Sequence, residues 1–180
     1  MTSSTRPSQR QIDPAAADAL RGATKLAVAT DTDDETLAAT RTVAASLAAE
    51  YDVSVVLYDR SEETWMDHPH PSGVCDRADL ADRDRQHLAD QMTEFDEAGV
   101  EVTAWIATVP SITEIVDVVL QAGADVILLP DKTDHPKLLD RLKADSPSDV
   151  VERIISQNLD APVPVLVDDG STIRVETTDV

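Results

Sequence analysis

The chain has 180 residues, 42% of them apolar and only 3% aromatic, which suits one domain with a core of Val, Ile, Leu and Ala. Its 35 acidic and 15 basic residues give a formal charge of −20, which excludes a basic surface for nucleic acid. No apolar stretch reaches the length of a membrane span, and the single cysteine, Cys75, excludes an internal disulfide.

The acidic residues are spread along the whole sequence rather than gathered in blocks. A charge of this size repels itself at low ionic strength, whereas at molar salt the Debye length falls to ~3 Å. We therefore predict a protein adapted to a salt-rich cytoplasm. The alternative is an acidic surface that binds a basic partner or mimics DNA. The first residues lack the apolar segment of a secretory signal, which also favours a cytoplasmic protein.

The first third of the sequence predicts an arm followed by a strand, a helix and a second strand. Residues 1–22 are rich in Ser, Thr, Gln and Pro and predict a flexible arm, with a short helical turn near 14–21. Residues 25–30 form an apolar run typical of a buried strand. The helical stripe of residues 35–50 follows, and the β-branched run 53–58 predicts the second strand.

The middle of the sequence predicts a long loop, a helix, a third strand and another helix. Residues 60–78 contain prolines and little periodicity, as in a loop, and 79–98 form a charged helix that a glycine ends. The apolar run 100–109 is the third strand. The next helix opens at Pro110 and ends before Gly123.

The last third predicts two more strands around one helix. Residues 126–129 are the fourth strand, and Ser146 begins a helix as its N-cap. Residues 161–169 are the fifth strand, whose prolines favour an edge of the sheet, and 170–180 are either a loose tail or an added strand. Five apolar strands that alternate with helices predict a doubly wound parallel sheet, covered on both faces.

Three segments resemble the universal stress protein (UspA-type) family: "KLAVATDTDDETLAA", "EVTAWIATVPSITEIVDVVLQAGADVILLP" and "SPSDVVERIISQNLDAPVPVLV". The resemblance covers roughly residues 24–168, so we expect a UspA-like domain at 23–169 between the arm and the tail. It implies the α/β fold of the adenine nucleotide alpha hydrolase type, with five strands in the order 3-2-1-4-5. It also implies a homodimer that pairs through the fifth strand.

Some members of that family bind ATP or AMP through G-x2-G-x9-G-[ST] after the fourth strand, with an Asp at the end of the first. The resemblance implies Asp31 as this acid. Pro130 and Thr133 stand where the first two glycines are expected, and Ser146 or Ser148 replaces the final hydroxyl. The nucleotide-pocket positions that it implies are Asp31, Pro130, Asp131, Lys132, Thr133, Ser146 and Ser148.

The missing glycines predict an eroded phosphate loop. A Cβ keeps the backbone away from a phosphate, and proline has no N–H to donate. Lys132, Lys137, Arg141 and Lys143 leave an alternative open, because they could bind an anion as point charges. They also fit the polar face of a short amphipathic helix, "PKLLDRLKA". We therefore expect no cofactor, with weak ATP or AMP binding as the alternative.

The loop "WMDHPHPSGVCD" contains zinc-ligand residue types, namely His68, His70 and Cys75, with Asp67 beside them. Their H-x-H-x4-C spacing is not typical of a metal site, so a solvated loop is the expected structure. His87 is expected at the surface.

No catalytic pattern is present in the sequence. The first strand is followed by "TDTDDE" rather than the S-G-G-x-D-S of a PP-loop enzyme, and no nucleophile elbow occurs. A phospho-acceptor Asp after the third strand and a Lys after the fifth, as in response-regulator receivers, are also missing. We therefore predict a non-catalytic stress-response protein that acts through dimerisation and an unknown protein partner, not through nucleic acid or membranes. The alternative function is a nucleotide-sensing module that binds ATP or AMP.

Overall fold

Strands and helices alternate along most of the chain in the computed structural model, which describes residues 10–30, 35–59, 73–82, 85–106, 115–131 and 146–177. The strands are β1 (Gln11–Ile12), β2 (Lys25–Thr30), β3 (Ser54–Asp59), β4 (Gly73–Cys75), β5 (Val102–Ile106), β6 (Val126–Pro130), β7 (Val165–Asp168) and β8 (Thr172–Val175). The helices are α1 (Pro14–Gly22), α2 (Glu35–Tyr51), α3 (Arg77–Asp82), α4 (Gln86–Glu97), α5 (Ile115–Ala122) and α6 (Pro147–Ser156). Within the described ranges, no helix is long and apolar enough to cross a membrane.

All eight strands belong to one sheet, in the order β1-β8-β7-β6-β2-β3-β5-β4. The five predicted strands are β2, β3, β5, β6 and β7, and they pair in parallel at the centre. β4 pairs antiparallel with β5, β8 pairs antiparallel with β7, and β1 pairs in parallel with β8. These five strands lie in the predicted order 3-2-1-4-5, but the predicted strand count of five is wrong, because the sheet also contains β4 at one end and β8 and β1 at the other. The three additional strands have two to four residues each, too few to show a sequence period.

Both faces of the sheet are covered, because alternate residues of the central strands point to opposite sides. Leu26 and Val28 of β2 belong to one core cluster, together with buried residues of α1, α2, α3 and α4. Ala27 and Ala29 belong to the other cluster, together with residues of α5 and α6. The structure is thus an α/β fold with a mostly parallel sheet between two helical layers.

The predicted helix at 79–98 is two helices, α3 and α4. The capping contact that begins α3 lies inside the predicted loop, where the Asp76 carboxylate accepts a hydrogen bond from the Asp79 N–H at 2.9 Å. Arg85 separates the helices and is buried, because its side chain turns inward to Asp59. The predicted stop after α4 is confirmed by Gly99, whose φ of 75° is in the left-handed region.

The two terminal segments both fold onto the β7 side of the sheet. Residues predicted as an arm form β1 and α1, and α1 buries Ala16 and Leu20 completely. Residues after the fifth strand form β8, as the added-strand alternative expected, and β8 buries Ile173. The predicted edge position of the fifth strand is wrong, because β7 lies between β6 and β8. Its two prolines precede the strand and do not interrupt the pairing with β8.

Candidate functional site

A crevice of about 480 Å³ opens at the carboxyl ends of β6 and β7, beside the first turn of α2. The strand order reverses between β2 and β6, since β3 and β5 extend the sheet on one side and β7 on the other. Ligands of open α/β sheets bind at such a position. The crevice is lined by Arg10, Glu35, Thr36, Ala39, Thr40, Asp131, Asp168, Asp169 and Gly170.

The floor of the crevice includes the carboxylate of Asp168, the last residue of β7. Its side chain is only 3% exposed and forms an ion pair with Arg10, whose Nε lies 2.9 Å from Oδ1. The backbone N–H of Gly170 donates to the same oxygen at 2.9 Å, and the Thr40 hydroxyl lies 3.4 Å from Oδ2. A buried carboxylate needs such partners, and here they fix the turn after β7 against α2.

The β7–β8 turn forms one wall of the crevice. Gly170 has a φ of 94°, which a residue with a side chain rarely adopts. Asp169 accepts hydrogen bonds from the backbone N–H groups of Ser171 and Thr172, at 2.9 and 2.7 Å. These two bonds, chiefly the one from Ser171, lower the pKa of Asp169 below its ordinary value. Asp169 therefore stays ionised at the mouth of the crevice.

β8 connects the crevice to α6 through charged side chains. Arg174 Nη2 lies 3.1 Å from an oxygen of Asp131, and Arg174 Nη1 lies 2.6 Å from an oxygen of Glu176. The hydrogen bond with Glu176 is the main reason that the pKa of Arg174 is raised further above its ordinary value. Glu176 in turn accepts a hydrogen bond from the Ser148 hydroxyl at 3.1 Å.

The described lining of the crevice is negatively charged. It contains four carboxylates, Glu35, Asp131, Asp168 and Asp169, against the single guanidinium of Arg10. Arg10 is already paired with Asp168. A phosphate group placed here would face more carboxylates than cations, which is unfavourable in a partly desolvated site.

Four of the predicted pocket positions lie within the described residues. Pro130 ends β6 and pairs in register with Asp168, and Asp131 follows it and lines the crevice. Ser146 is the N-cap of α6 and forms a capping box with Asp149, so its hydroxyl has a structural role. Ser148 lies in the first turn of α6 and contacts Glu176.

Two of these positions, Asp131 and Ser148, are connected through side chains of β8 and the residue after it. Asp131 contacts Arg174, Arg174 contacts Glu176, and Glu176 contacts Ser148.

The remaining predicted pocket positions, Asp31, Lys132 and Thr133, lie outside the described residues. The cations at Lys137, Arg141 and Lys143 lie outside them as well, so their two alternatives stay open.

The end of β2 contacts an interior polar network instead of the crevice. The Thr30 hydroxyl donates to Gln91 of α4 at 2.7 Å and accepts from Arg41 of α2 at 3.0 Å. Arg41 also pairs with Glu94 at 3.0 Å. The second oxygen of Glu94 is buried without a hydrogen-bond partner among the described residues. This network fastens α2 to α4 where β2 ends.

The described ranges contain no cluster of three or more His, Cys, Asp or Glu residues arranged for a metal ion. Cys75 is buried, and its Sγ lies 3.8 Å from the carbonyl oxygen of Gly73. His68 and His70 lie outside the described residues, so the metal hypothesis stays untested. His87, expected at the surface, is partly buried: its side chain is 26% exposed and its Nε2 lies 3.4 Å from buried Asp59.

Sequence reasoning missed most of the crevice lining. Asp168 and Asp169 follow the apolar run of the fifth strand, so the carboxyl-end rule could have identified them. Arg10 carried no sequence signal, because its contact with Asp168 spans 158 positions. Arg174, which contacts Asp131 of the lining, lies in residues 170–180, for which the sequence left a loose tail and an added strand as alternatives.

No protein-family model matches the chain, and no curated protein matches it. The chain is similar in structure to a universal stress protein in complex with cAMP, at a TM-score of 0.50 and 14% identity, over 83% of this chain and 98% of that chain. It is equally similar to a hypothetical protein whose biochemical function was assigned from its structure, at a TM-score of 0.50 and 18% identity, over 82% and 98% of the two chains. A protein of the universal stress protein family from Burkholderia pseudomallei matches at a TM-score of 0.48 and 20% identity, over 81% and 95%. The likeness at these identities shows a shared fold, with universal stress proteins among the structural neighbours.

Proposed function

We propose that this chain is a universal stress protein-like, non-catalytic regulatory protein that acts as a homodimer and through a protein partner in a salt-rich cytoplasm. The observation that carries the proposal is the composition of the crevice at the switch point of the sheet. Four carboxylates line it, and Arg10, its described cation, is paired with Asp168. A site of this charge disfavours the phosphates on which nucleotide chemistry depends.

The backbone next to the crevice supports the same conclusion. Pro130 supplies no N–H at the end of β6, where backbone donors would have to approach a phosphate. The hydroxyl of Ser146 is used in the capping box of α6. Among the described residues, Pro130 therefore cannot donate to a phosphate and the Ser146 hydroxyl is already used, which supports an eroded phosphate loop.

A second candidate function is a nucleotide-sensing module. A structural neighbour of the same fold is in complex with cAMP, and the crevice of about 480 Å³ has room for a small molecule. A cyclic nucleotide carries one phosphate charge, so four carboxylates repel it less than they repel ATP.

Thermal shift in high KCl separates the two functions. Mass action at 1 mM ligand and a micromolar Kd stabilises a protein by roughly 4 kcal/mol, a shift of several degrees. We expect ATP, AMP and cAMP each to give a shift near zero. A shift of several degrees that resists added salt and disappears in Asp31→Ala would establish the nucleotide-sensing function instead.

The homodimer needs its own measurement, because β8 occupies the edge of β7 through which pairing was expected. Pairing of two copies through β7 would require β8 to leave it. Light scattering in about 2 M KCl should give the mass of a dimer if screening of the charge permits association. A monomer at tens of micromolar would rule out the homodimer and leave the partner protein as the remaining mode of action.

A further inference from the structure

Glu176 lies at the end of β8 in a position that the sheet determines. Its backbone N–H donates to the carbonyl oxygen of Val165 at 2.8 Å, which continues the pairing of β8 with β7. Its side chain is only 14% exposed and points to the first turn of α6. The pairing of the strands therefore holds the carboxylate near Ser148.

Two donors hold the two oxygens of this carboxylate. The Ser148 hydroxyl donates to Oε1 at 3.1 Å, and Arg174 Nη1 donates to Oε2 at 2.6 Å. Arg174 Nη2 donates to Asp131, which lines the crevice, at 3.1 Å. One chain of polar contacts thus runs from the crevice through Arg174 and Glu176 to Ser148.

A hydroxyl and a guanidinium that converge on two oxygens are the donors that also bind a phosphate oxyanion. Here both donors are already hydrogen-bonded to the carboxylate of Glu176. An intramolecular group of this kind acts at an effective concentration on the order of millimolar, so an external anion must compete with it. Competition at these two donors would act in addition to the general negative charge of the crevice.

We propose that Glu176 is an autoinhibitory residue, whose carboxylate keeps phosphate-bearing small molecules from Ser148 and Arg174 at the edge of the crevice. The inference rests on the proposed function, because it explains how anion binding at the same site is suppressed. Rotation of the Glu176 side chain would free the Ser148 hydroxyl and Arg174 Nη1, while Ile173 keeps β8 anchored in the core.

The test compares Glu176→Ala with Glu97→Ala. Both variants remove one negative charge, but Glu97 is an exposed residue at the end of α4, on a different part of the chain. Isothermal titration with AMP and with inorganic phosphate in high KCl measures the affinity of each folded variant. We expect Glu176→Ala to bind AMP about tenfold more tightly than Glu97→Ala, since the internal competitor is lost. Inorganic phosphate should also bind more tightly to Glu176→Ala than to Glu97→Ala.

Ser148→Ala tests whether the gain in AMP affinity arises at the proposed donors. The Glu176→Ala gain should disappear in the double variant with Ser148→Ala, because the hydroxyl that receives the anion is then missing. Glu176→Gln keeps the size and one acceptor oxygen, so it should give a smaller gain even if Glu176→Ala proves unstable.

Equal affinities of the Glu176 and Glu97 variants would overturn the autoinhibitory role, and so would an absence of binding in both. Tight binding of AMP by the wild-type protein would overturn the proposed function, because the crevice would then bind a nucleotide with Glu176 in place. The autoinhibitory role is judged separately, by the difference in affinity between the two variants. A gain that survives Ser148→Ala would also count against Glu176 as a competitor for that hydroxyl.

Discussion

Asp59 and Asp168 occupy equivalent places at the ends of two strands that lie on either side of the switch point between β2 and β6. Each is the last residue of a parallel strand, β3 or β7, and each side chain is almost completely buried. Each carboxylate is paired with an arginine from outside the strands, Arg85 at 3.2 Å and Arg10 at 2.9 Å. The chemistry of the two pairs is the same.

The surroundings of the two pairs differ. Arg85 is only 5% exposed, and His87 adds a second nitrogen beside Asp59, so this pair is an interior connection between β3 and α4. Arg10 is 15% exposed and lines the crevice, and the Gly170 N–H also donates to Asp168. A carboxylate at the end of a strand is therefore no sign of a ligand site by itself. The position of the paired arginine decides whether the carboxylate belongs to an interior contact, as Asp59 does, or to the crevice, as Asp168 does.

Arg85→Ala should give the largest effect, because it leaves the carboxylate of Asp59 buried without its guanidinium. Loss of one partner from a buried pair costs about 3–5 kcal/mol of unfolding free energy. Urea denaturation in high KCl measures the loss. Arg21→Ala is the matched control, since Arg21 forms an exposed pair with Asp18 and should cost less than about 1 kcal/mol. Equal losses of unfolding free energy in the two variants would show that the buried pair stabilises the fold no more than the exposed pair does.

Arg10→Ala should cost less, about 1–3 kcal/mol, because Asp168 keeps the hydrogen bond from Gly170. Its effect should also be local. Hydrogen exchange should accelerate in β1 and in the β7–β8 turn, while the amides of β3 stay protected. Uniform acceleration across the sheet would contradict the assignment of this pair to the crevice.

The central part of the fold could be predicted from sequence, since β2, β3, β5, β6 and β7 are continuous apolar runs. The N-terminal strand could not, because β1 has only two residues and its partner β8 lies at the other end of the chain. β8 remained one of two alternatives, because four residues are too few to show a sequence period. The resemblance to the universal stress protein family implied Asp131 as a pocket position, and Asp131 lines the crevice. Arg10, which also lines the crevice, and Arg174, which contacts Asp131, lie in segments without any periodic signal.

Salt should separate the two pairs further. The wild-type melting temperature should rise from about 0.1 M to about 2 M KCl, because the Debye length falls and the repulsion of −20 charges is screened. The destabilisation by Arg10→Ala should fall over the same range by less than about 1 kcal/mol, since its pair is partly open to solvent. The destabilisation by Arg85→Ala should stay constant. A wild-type melting curve independent of salt would count against adaptation to high salt.

Asp169→Asn should give the smallest effect, confined to the turn beside Asp168. The pKa of Asp169 is lowered in the folded state, so its contribution to stability is present above the unfolded pKa and disappears as the pH falls through the folded pKa. The urea midpoint of the wild type should therefore exceed that of the variant at about pH 6, and the difference should shrink as the pH falls below the ordinary carboxyl pKa and through the lowered pKa of Asp169. Asp160→Asn, at an exposed site outside the turn, controls for the change of charge. A difference that does not shrink as the pH falls would contradict the turn hydrogen bonds as its cause.

The pairing of β1 with β8 places the beginning of the described chain beside its end, with Gln11 opposite Thr172. On the ribosome, β1 is synthesised early but has no partner until almost the whole chain has emerged. The central strands can associate before that, whereas β1 can join the sheet only after β8 has emerged. The same proximity predicts that a circular permutant joining these two segments by a short linker, and opened in a surface loop, will fold.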